Sequence, residues 1–198
     1  MKYELGIIIL AAGSSSRLGR PKQLLEYKGK PLLQHAVNVA LNVPGSRVIV
    51  VTGANHAAIE RVVDLSKATV VHNEDWESGM ASSIGSGLYK LLELAPEISE
   101  CILTVCDQPF LDDGIFDKLL IEFLRTRKPI IASAYAGTLG APTLFAKKYF
   151  PSLLSLTGFQ GAKKMFEQYG HDVASVAFER GNIDIDTQED YDQLKQLS

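Results

Sequence analysis

Residues 7–25 read IIILAAGSSSRLGRPKQLL. Four consecutive aliphatic residues, 7–10, carry the signature of a strand covered on both faces, and they empty into small residues and then a basic cluster of Arg17, Arg20 and Lys22. The same continuous apolar signature returns as VIVV at 48–51 and ILTV at 102–105. Strand-like runs occupy 5–10, 47–52, 68–72, 101–106, 129–134, 143–145 and 173–177, with helical periodicity at 32–41, 57–65, 82–93, 113–125, 160–169 and 188–197. Buried strands separated by helices imply parallel crossovers. The expected fold is therefore α/β: a doubly wound, mostly parallel, Rossmann-like sheet with helices on both faces. The stretch 135–142, with Gly137, Gly140 and Pro142, is where the topology is expected to change.

The turn after the first strand is a candidate phosphate cradle. Small side chains at Ala11, Ala12 and Gly13 let backbone N–H groups approach an anion, Ser14, Ser15 and Ser16 add hydroxyls, and the three cations add charge. Neither G-x-x-x-x-G-K-[ST] nor G-x-G-x-x-G is present here, so the two commoner nucleotide loops are excluded. An ordinary Gly-Ser-rich turn with a solvated basic face would not need three cations within six residues after a buried strand. The whole chain carries a net charge of −3, which argues against a nucleic-acid or anionic-membrane surface and for positive charge focused on a small polyanion such as a nucleoside triphosphate.

With 198 residues and 46% apolar content, the chain is long enough for one sizeable core and short for two, so residues 1–198 are expected to form one domain. No signal-peptide pattern and no apolar run of membrane-spanning length is present, and the expected setting is the cytoplasm. Cys101 and Cys106 are five apart with opposite parity on one apolar run, which suits core thiols rather than a bridge or a C-x-x-C site.

In doubly wound sheets ligands collect at the carboxyl ends of strands, where strand order reverses. The run ILTVC ends on Asp107, with Pro109 stopping the strand. Asp107 is either the start of a turn or a metal ligand facing the cradle, and Mg2+ on a nucleotide needs only one or two protein carboxylates. Near the C-terminus, Asp184 and Asp186 share one face of an extended segment, and Thr187 with Asp190 forms the pattern of a helix capping box. Either aspartate can supply a second metal ligand or hold a ribose, and Asp186 is our choice for the metal. Asn73, Ser82 and Ser83 are candidates for contacts to base or ribose. Trp76, in NEDWESG, is either a stacking ring or a loop anchor. Gln160 and Lys163 are candidates for acceptor contact. His35 and His72 read as structural or solvated, and His56 and His171 as loop residues without an evident partner.

Several ordered motifs resemble the small nucleotidyltransferases that attach a nucleotide to molybdopterin, and within them the molybdenum cofactor cytidylyltransferase group: LAAGSSSRLGRPKQLL at 10–25, GKPLLQH at 29–35, VHNEDWESGMASSIGSGL at 71–88, CDQPFL at 106–111, GAPTLF at 140–145 and IDIDTQED at 183–190. The resemblance implies a nucleotide-diphospho-sugar transferase type of fold, a triphosphate held by Leu10, Ala11, Ala12 and Gly13 with Arg17 and Lys22, and Mg2+ held by Asp107. It implies CTP and molybdopterin as substrates, and a receiving molybdoenzyme of the xanthine dehydrogenase type. The guanylyl group has Leu-Ala-Gly-Gly where this chain has Leu10-Ala11-Ala12-Gly13, and a Cβ at residue 12 leaves less room for a base, which suits a pyrimidine.

Two segments depart from the cytidylyl pattern. Gly158-Phe159-Gln160-Gly161-Ala162 stands for Gly-Asp-x-Gly-Ala, and Gly140-Ala141-Pro142 for Gly-His-Pro. Both departures fall in the acceptor half. They keep open a guanylyl- or other nucleotidyltransferase acting on another phosphorylated acceptor such as a sugar phosphate, and a non-catalytic accessory protein of molybdoenzyme maturation. In the implied reaction Arg17, Lys22 and Asp107 carry the catalysis. No general base is required, because a phosphate monoester with a second pKa of about 6 is already ionised at neutral pH.

Overall fold

Alternate residues of the first strand, β1 (Leu5–Ala11), enter opposite helical layers: Leu5, Ile7, Ile9 and Ala11 pack into one core and Ile8 into another. This is the pleat of a strand buried on both faces. The structure is a computed structural model that describes residues 4–159 and 161–197. The other strands are β2 (Glu26–Tyr27), β3 (Lys30–Pro31), β4 (Ser46–Thr52), β5 (Thr69–His72), β6 (Glu100–Val105), β7 (Ile130–Tyr135), β8 (Thr138–Ala146) and β9 (Val173–Ala177). The helices are α1 (Leu32–Asn42), α2 (His56–Val62), α3 (Met80–Leu94), α4 (Asp113–Thr126), α5 (Phe150–Leu154), α6 (Lys163–Gln168) and α7 (Gln188–Gln196).

Seven strands form one sheet in the order β5-β4-β1-β6-β8-β7-β9, while β2 and β3 make a separate small hairpin. The expected mostly parallel α/β sheet is present, with β4, β1 and β6 parallel at its centre. One face packs against α1, α2 and α4 through residues such as Leu33, Val37, Ile59 and Phe116, and the other against α3 and α5 through Ile84, Leu88, Leu91 and Leu153. Cys101 and Cys106 fall in opposite cores as free thiols, in agreement with their parity. Burial pushes the Cys106 thiol up to about 12, so neither a redox nor a metal role suits it.

The stretch 135–142 does change the topology, by a different route from a loop. Strand β8 runs antiparallel between β6 and β7 and is nine residues long, longer than the 143–145 expected. Gly140 and Pro142 read as turn residues, yet they lie inside it at a bulge, where Ala132 pairs with Thr143 and Ser133 with Gly140. Pairing with β6 ends at Leu103 opposite Thr143. Beyond that point β8 pairs only with β7, and a cleft opens beside the last residues of β6. The β2–β3 hairpin and α5 were not expected, because two-residue strands and a five-residue helix leave too few positions for a period.

A third cluster of Leu25, Tyr27, Leu32, Ile185, Tyr191 and Leu194 joins the hairpin to α7. It places the 22–25 segment against the 184–186 segment, which lie far apart in sequence. The capping box at Thr187 and Asp190 forms as expected and fixes where α7 begins. No helix among the described residues is long and apolar enough to cross a membrane.

Candidate active site

Strands β1 and β6 are neighbours, so the loops leaving their carboxyl ends meet. Lys22 lies between them. Its Nζ donates to Asp107 Oδ2 and, at 2.9 Å, to Asp186 Oδ1, while Arg17 donates to the other oxygen of Asp186 at 2.6 Å. Arg17, Asp186, Lys22 and Asp107 thus form a chain of alternating charge at the floor of the cleft. Burial acts to lower the Lys22 pKa, but the charge of Asp107 and the bonds to Asp107 and Asp186 outweigh it and hold the ammonium above the ordinary lysine range. Burial likewise acts to raise Asp186, and Lys22 and Arg17 together bring it below the usual carboxylate range.

The segment 184–186 is carried by a backbone hydrogen bond from Ile185 N to Asp107 O of 3.1 Å, with the Ile185 side chain fully buried. The flanking Asp184 and Asp186 both line the cleft, as their shared parity requires. Burial, and then the charge of Asp107, hold Asp184 above the ordinary range. Among the described residues no group of three or more His, Cys, Asp or Glu is placed to hold a metal ion by itself. Two carboxylates beside the candidate phosphate loop nevertheless have the chemistry to hold Mg2+, which takes its remaining ligands from phosphate and water.

The candidate cradle is braced by Ser15, which the sequence pattern singles out, and by Gln23 and Gly53, which it does not. Gln23, fully buried, donates its side-chain amide to Ala11 O at 2.9 Å and Gly13 O at 2.8 Å. Ser15 accepts from Lys22 N at 3.0 Å, so its hydroxyl shapes the loop. A polar residue inside the otherwise apolar run QLL was the available signal for Gln23. Gly53 is a second: a Cβ there would stand 2.6 Å from Ala12 O and 2.7 Å from Trp76 Cβ. The third cation of the cluster behaves differently from Arg17 and Lys22. Arg20 bonds Gln188 on α7 at 2.7 Å and covers the Tyr191 ring.

Exchanging Gln23 for leucine removes both bonds and leaves two carbonyls without this partner. A loss of about 1–3 kcal/mol in urea unfolding is expected, together with weaker nucleotide binding. An unchanged nucleotide KM beside the lowered stability would show that Gln23 does not shape the cradle.

Two cavities meet over the charged floor. The smaller, about 340 Å³, is lined by Leu10 through Ser14, Trp76 and Ser83. The larger, about 710 Å³, runs past Thr104, Tyr135, Ala141 and Lys163. Lys22, Asp107, Met80 and Phe159 line both. Asn73 is buried, and its amide donates to Ser82 at 2.9 Å and Ser83 at 3.0 Å, bracing the end of β5 against the start of α3. Of these three expected base or ribose contacts, Ser83 lines the smaller of these two cavities, and Asn73 and Ser82 line neither. Gln160 lies outside the described residues.

The histidines stand apart from the cleft. His35 bonds Leu111 O at 2.8 Å, and burial lowers its pKa. His56 opens α2 rather than lying in a loop, and it has partners: its Nδ1 meets the Thr52 hydroxyl at 2.9 Å and its ring stacks on His72.

Residues 7–173 match the MobA-like NTP transferase domain. The chain belongs to the MobA-like NTP transferase family. This NTP transferase is 32% identical to the molybdenum cofactor cytidylyltransferase of Escherichia coli, over 96% of this chain and 94% of that protein. It is 31% identical to the nicotine blue oxidoreductase of Paenarthrobacter nicotinovorans, over 92% of each. The crystal structure of Rv0371C of Mycobacterium tuberculosis in complex with manganese superposes with a TM-score of 0.81 at 26% identity, covering 98% of this chain and all of that one. Asp184 and Asp186 lie beyond the matched domain segment but within the length shared with these relatives, so the Lys22 bridge ties the loop after β1 to the last segment of this NTP transferase.

Proposed function

We propose that this nucleotidyltransferase moves CMP from CTP to the phosphate of molybdopterin or its metal-loaded cofactor, releasing pyrophosphate, with Mg2+ as its cofactor. The observation that carries the reading is the Lys22 bridge between Asp107 and Asp186 at the junction of two cavities. One cavity is walled by the β1 loop and suits a nucleotide. The other suits the acceptor. The 32% identity with a molybdenum cofactor cytidylyltransferase supports this pair of substrates.

In this reading the backbone N–H groups of Ala12 and Gly13, with Arg17 and Lys22, hold the triphosphate. Asn73 braces Ser82 and Ser83 near the base, and Leu10 and Ala11 form the wall beneath it. Ala12 lines the smaller cavity with a Cβ where a glycine would leave more room, which in this reading favours a pyrimidine. Asp107 and Asp186 would hold Mg2+, which when bound would neutralise charge on the phosphates. A phosphate oxygen of the acceptor attacks the α-phosphorus, the bond from that phosphorus to the pyrophosphate oxygen breaks, and the pyrophosphate takes the electron pair. Positioning and neutralisation are the chain's contributions, with no proton to remove from the ionised nucleophile. We take residues 1–198 as one nucleotidyltransferase domain acting in the cytoplasm and serving a molybdoenzyme of the xanthine dehydrogenase type.

The test is pyrophosphate release from CTP, GTP, ATP and UTP in turn, with Mg2+ and with or without molybdopterin. Release from CTP only when the acceptor is present is the expected result. Release with a sugar phosphate and none with molybdopterin would overturn the acceptor assignment, and preference for GTP would overturn the base assignment.

A further inference from the structure

Three buried side-chain polar atoms find no hydrogen-bond partner among the described residues. One is on Arg47, where β4 begins, and the other two, Thr104 Oγ1 and Gln108 Oε1, belong to residues that line the larger cavity. Thr104 is fully buried and Gln108 is 5% exposed. Buried polar atoms are nearly always paired, because an unpaired one loses its hydration and gains nothing in return. Two of them at one cavity call for a partner that the described residues do not supply.

The fold accounts for both. Strand β6 parts from β8 after Leu103 pairs with Thr143, so Thr104 is the first residue of β6 beyond that ladder. The nearby buried hydroxyls turn back into the β7–β8 ribbon: Thr143 donates to Gly140 O at 2.7 Å and Ser133 to Pro142 O at 2.7 Å. Thr104 has no such carbonyl. Gln108 commits both amide hydrogens, to Ala141 O at 3.1 Å and Gly181 O at 2.8 Å. Its amide therefore cannot turn over without setting oxygen against two carbonyls, and Oε1 is fixed as an acceptor. Tyr135 lines the same cavity, and its ring passes over Gly140, where a Cβ would stand 2.0 Å from the Tyr135 hydroxyl.

Resting on the reading of the larger cavity as the acceptor site, we propose that Thr104 and Gln108 are specificity residues that take neutral hydrogen-bond donors of the acceptor, hydroxyl or amino groups remote from its phosphate. Gln108 Oε1 can only accept, while the Thr104 hydroxyl can accept or donate. Lys22 and Arg17 line the same cavity and suit the phosphate end. The subsite reads donors rather than a ring, so the hydroxyls of a sugar phosphate and the amino group of a heterocycle both have the chemistry to meet it. Until a ligand arrives, the two unpaired atoms detract from the stability of the free protein, which is a common cost of a binding site.

Gln108 also braces Ala141 and Gly181, so the test falls on Thr104. Thr104→Val keeps the shape and removes only the hydroxyl, and Thr104→Ser restores it. Each full-length protein is titrated calorimetrically with molybdopterin, glucose 1-phosphate, methyl phosphate and CTP, and thermal unfolding of the free proteins is recorded. The expected result is that Thr104→Val binds molybdopterin about fivefold more weakly than wild type, the loss of one neutral hydrogen bond, and that Thr104→Ser recovers the affinity. Binding of CTP, and of methyl phosphate, which has no donor beyond its phosphate, is expected to be unchanged, with the Tm of Thr104→Val at or above that of wild type. Binding of glucose 1-phosphate and not molybdopterin, with the same loss in Thr104→Val, would keep the subsite and overturn the acceptor of the proposed function. Equal affinity of wild type and Thr104→Val for whichever of these two binds, or binding of neither, would overturn the subsite. A loss that extends to methyl phosphate or CTP would overturn it by placing the effect at the phosphates or the nucleotide. A Tm lowered by several degrees in Thr104→Val would overturn it too, showing that the hydroxyl is already paired in the free protein.

Discussion

Asp107→Asn is expected to lower pyrophosphate release at least about a hundredfold while the protein stays folded, the scale seen when one preorganised electrostatic contact to the reacting charge is removed. The substitution preserves volume and hydrogen-bonding shape. It removes the negative charge that pairs with Lys22 and that would hold Mg2+ at the end of β6. Lys22 keeps Asp186 at 2.9 Å, so the ammonium is not stranded. The side chains of Lys22 and Asp107 are 18% and 14% exposed, which leaves some access to water and limits the stability loss to about 1–3 kcal/mol, a few degrees in Tm for a chain of this size. Turnover and thermal unfolding measured together separate the two effects. Unchanged turnover would remove Asp107 from the mechanism.

Lys22→Met has the second large effect and a different signature. The methionine keeps most of the stem's packing and deletes the charge, so kcat/KM for CTP is expected to fall by about two orders of magnitude. The variant also leaves Asp107, Asp184 and Asp186 together without their central cation. In the wild type Asp186 sits below the ordinary carboxylate range, chiefly through Lys22 once burial is overcome. A depressed carboxylate contributes stability that is present above its unfolded pKa and is lost as pH falls through its folded pKa. The gap in stability between wild type and Lys22→Met should therefore be full at pH 6–8 and close as pH falls below about 4. Urea unfolding over that range checks it, and a gap independent of pH would show that the loss is one of packing.

Much of the fold was legible because its central strands are buried on both faces and read as unbroken aliphatic runs. Six of the seven strands of the main sheet are anticipated in place, β8 only over 143–145, and the order of β1 beside β6 puts Asp107 opposite the candidate cradle. Less legible was β8. Gly140 and Pro142 are loop residues by every local rule, and their place in a bulged strand depends on pairing with β7, which no local pattern states. The candidate site divides in the same way. Arg17, Lys22 and Asp107 stand out as charges beside strand ends. Gln23 acts by reaching backbone carbonyls distant in sequence, Gly53 by leaving room for Ala12 and Trp76, and both residue types look ordinary in sequence. Arg20 shows the converse: its spacing placed it with the other cations, and a partner on α7 drew it away.

The alternating chain Arg17–Asp186–Lys22–Asp107 means that the cleft of the free protein is not a bare positive pocket awaiting an anion. Its cations already have partners. A polyphosphate that binds there must take Lys22 and Arg17 from the aspartates, and each aspartate so released is left in need of a positive charge. In the proposed reading nucleotide binding and cation binding would thereby be linked: whatever factor one tightens the other, the other returns. Binding is an exchange of partners, so little net charge is gained, and its dependence on ionic strength should be shallower than the two basic side chains alone would suggest.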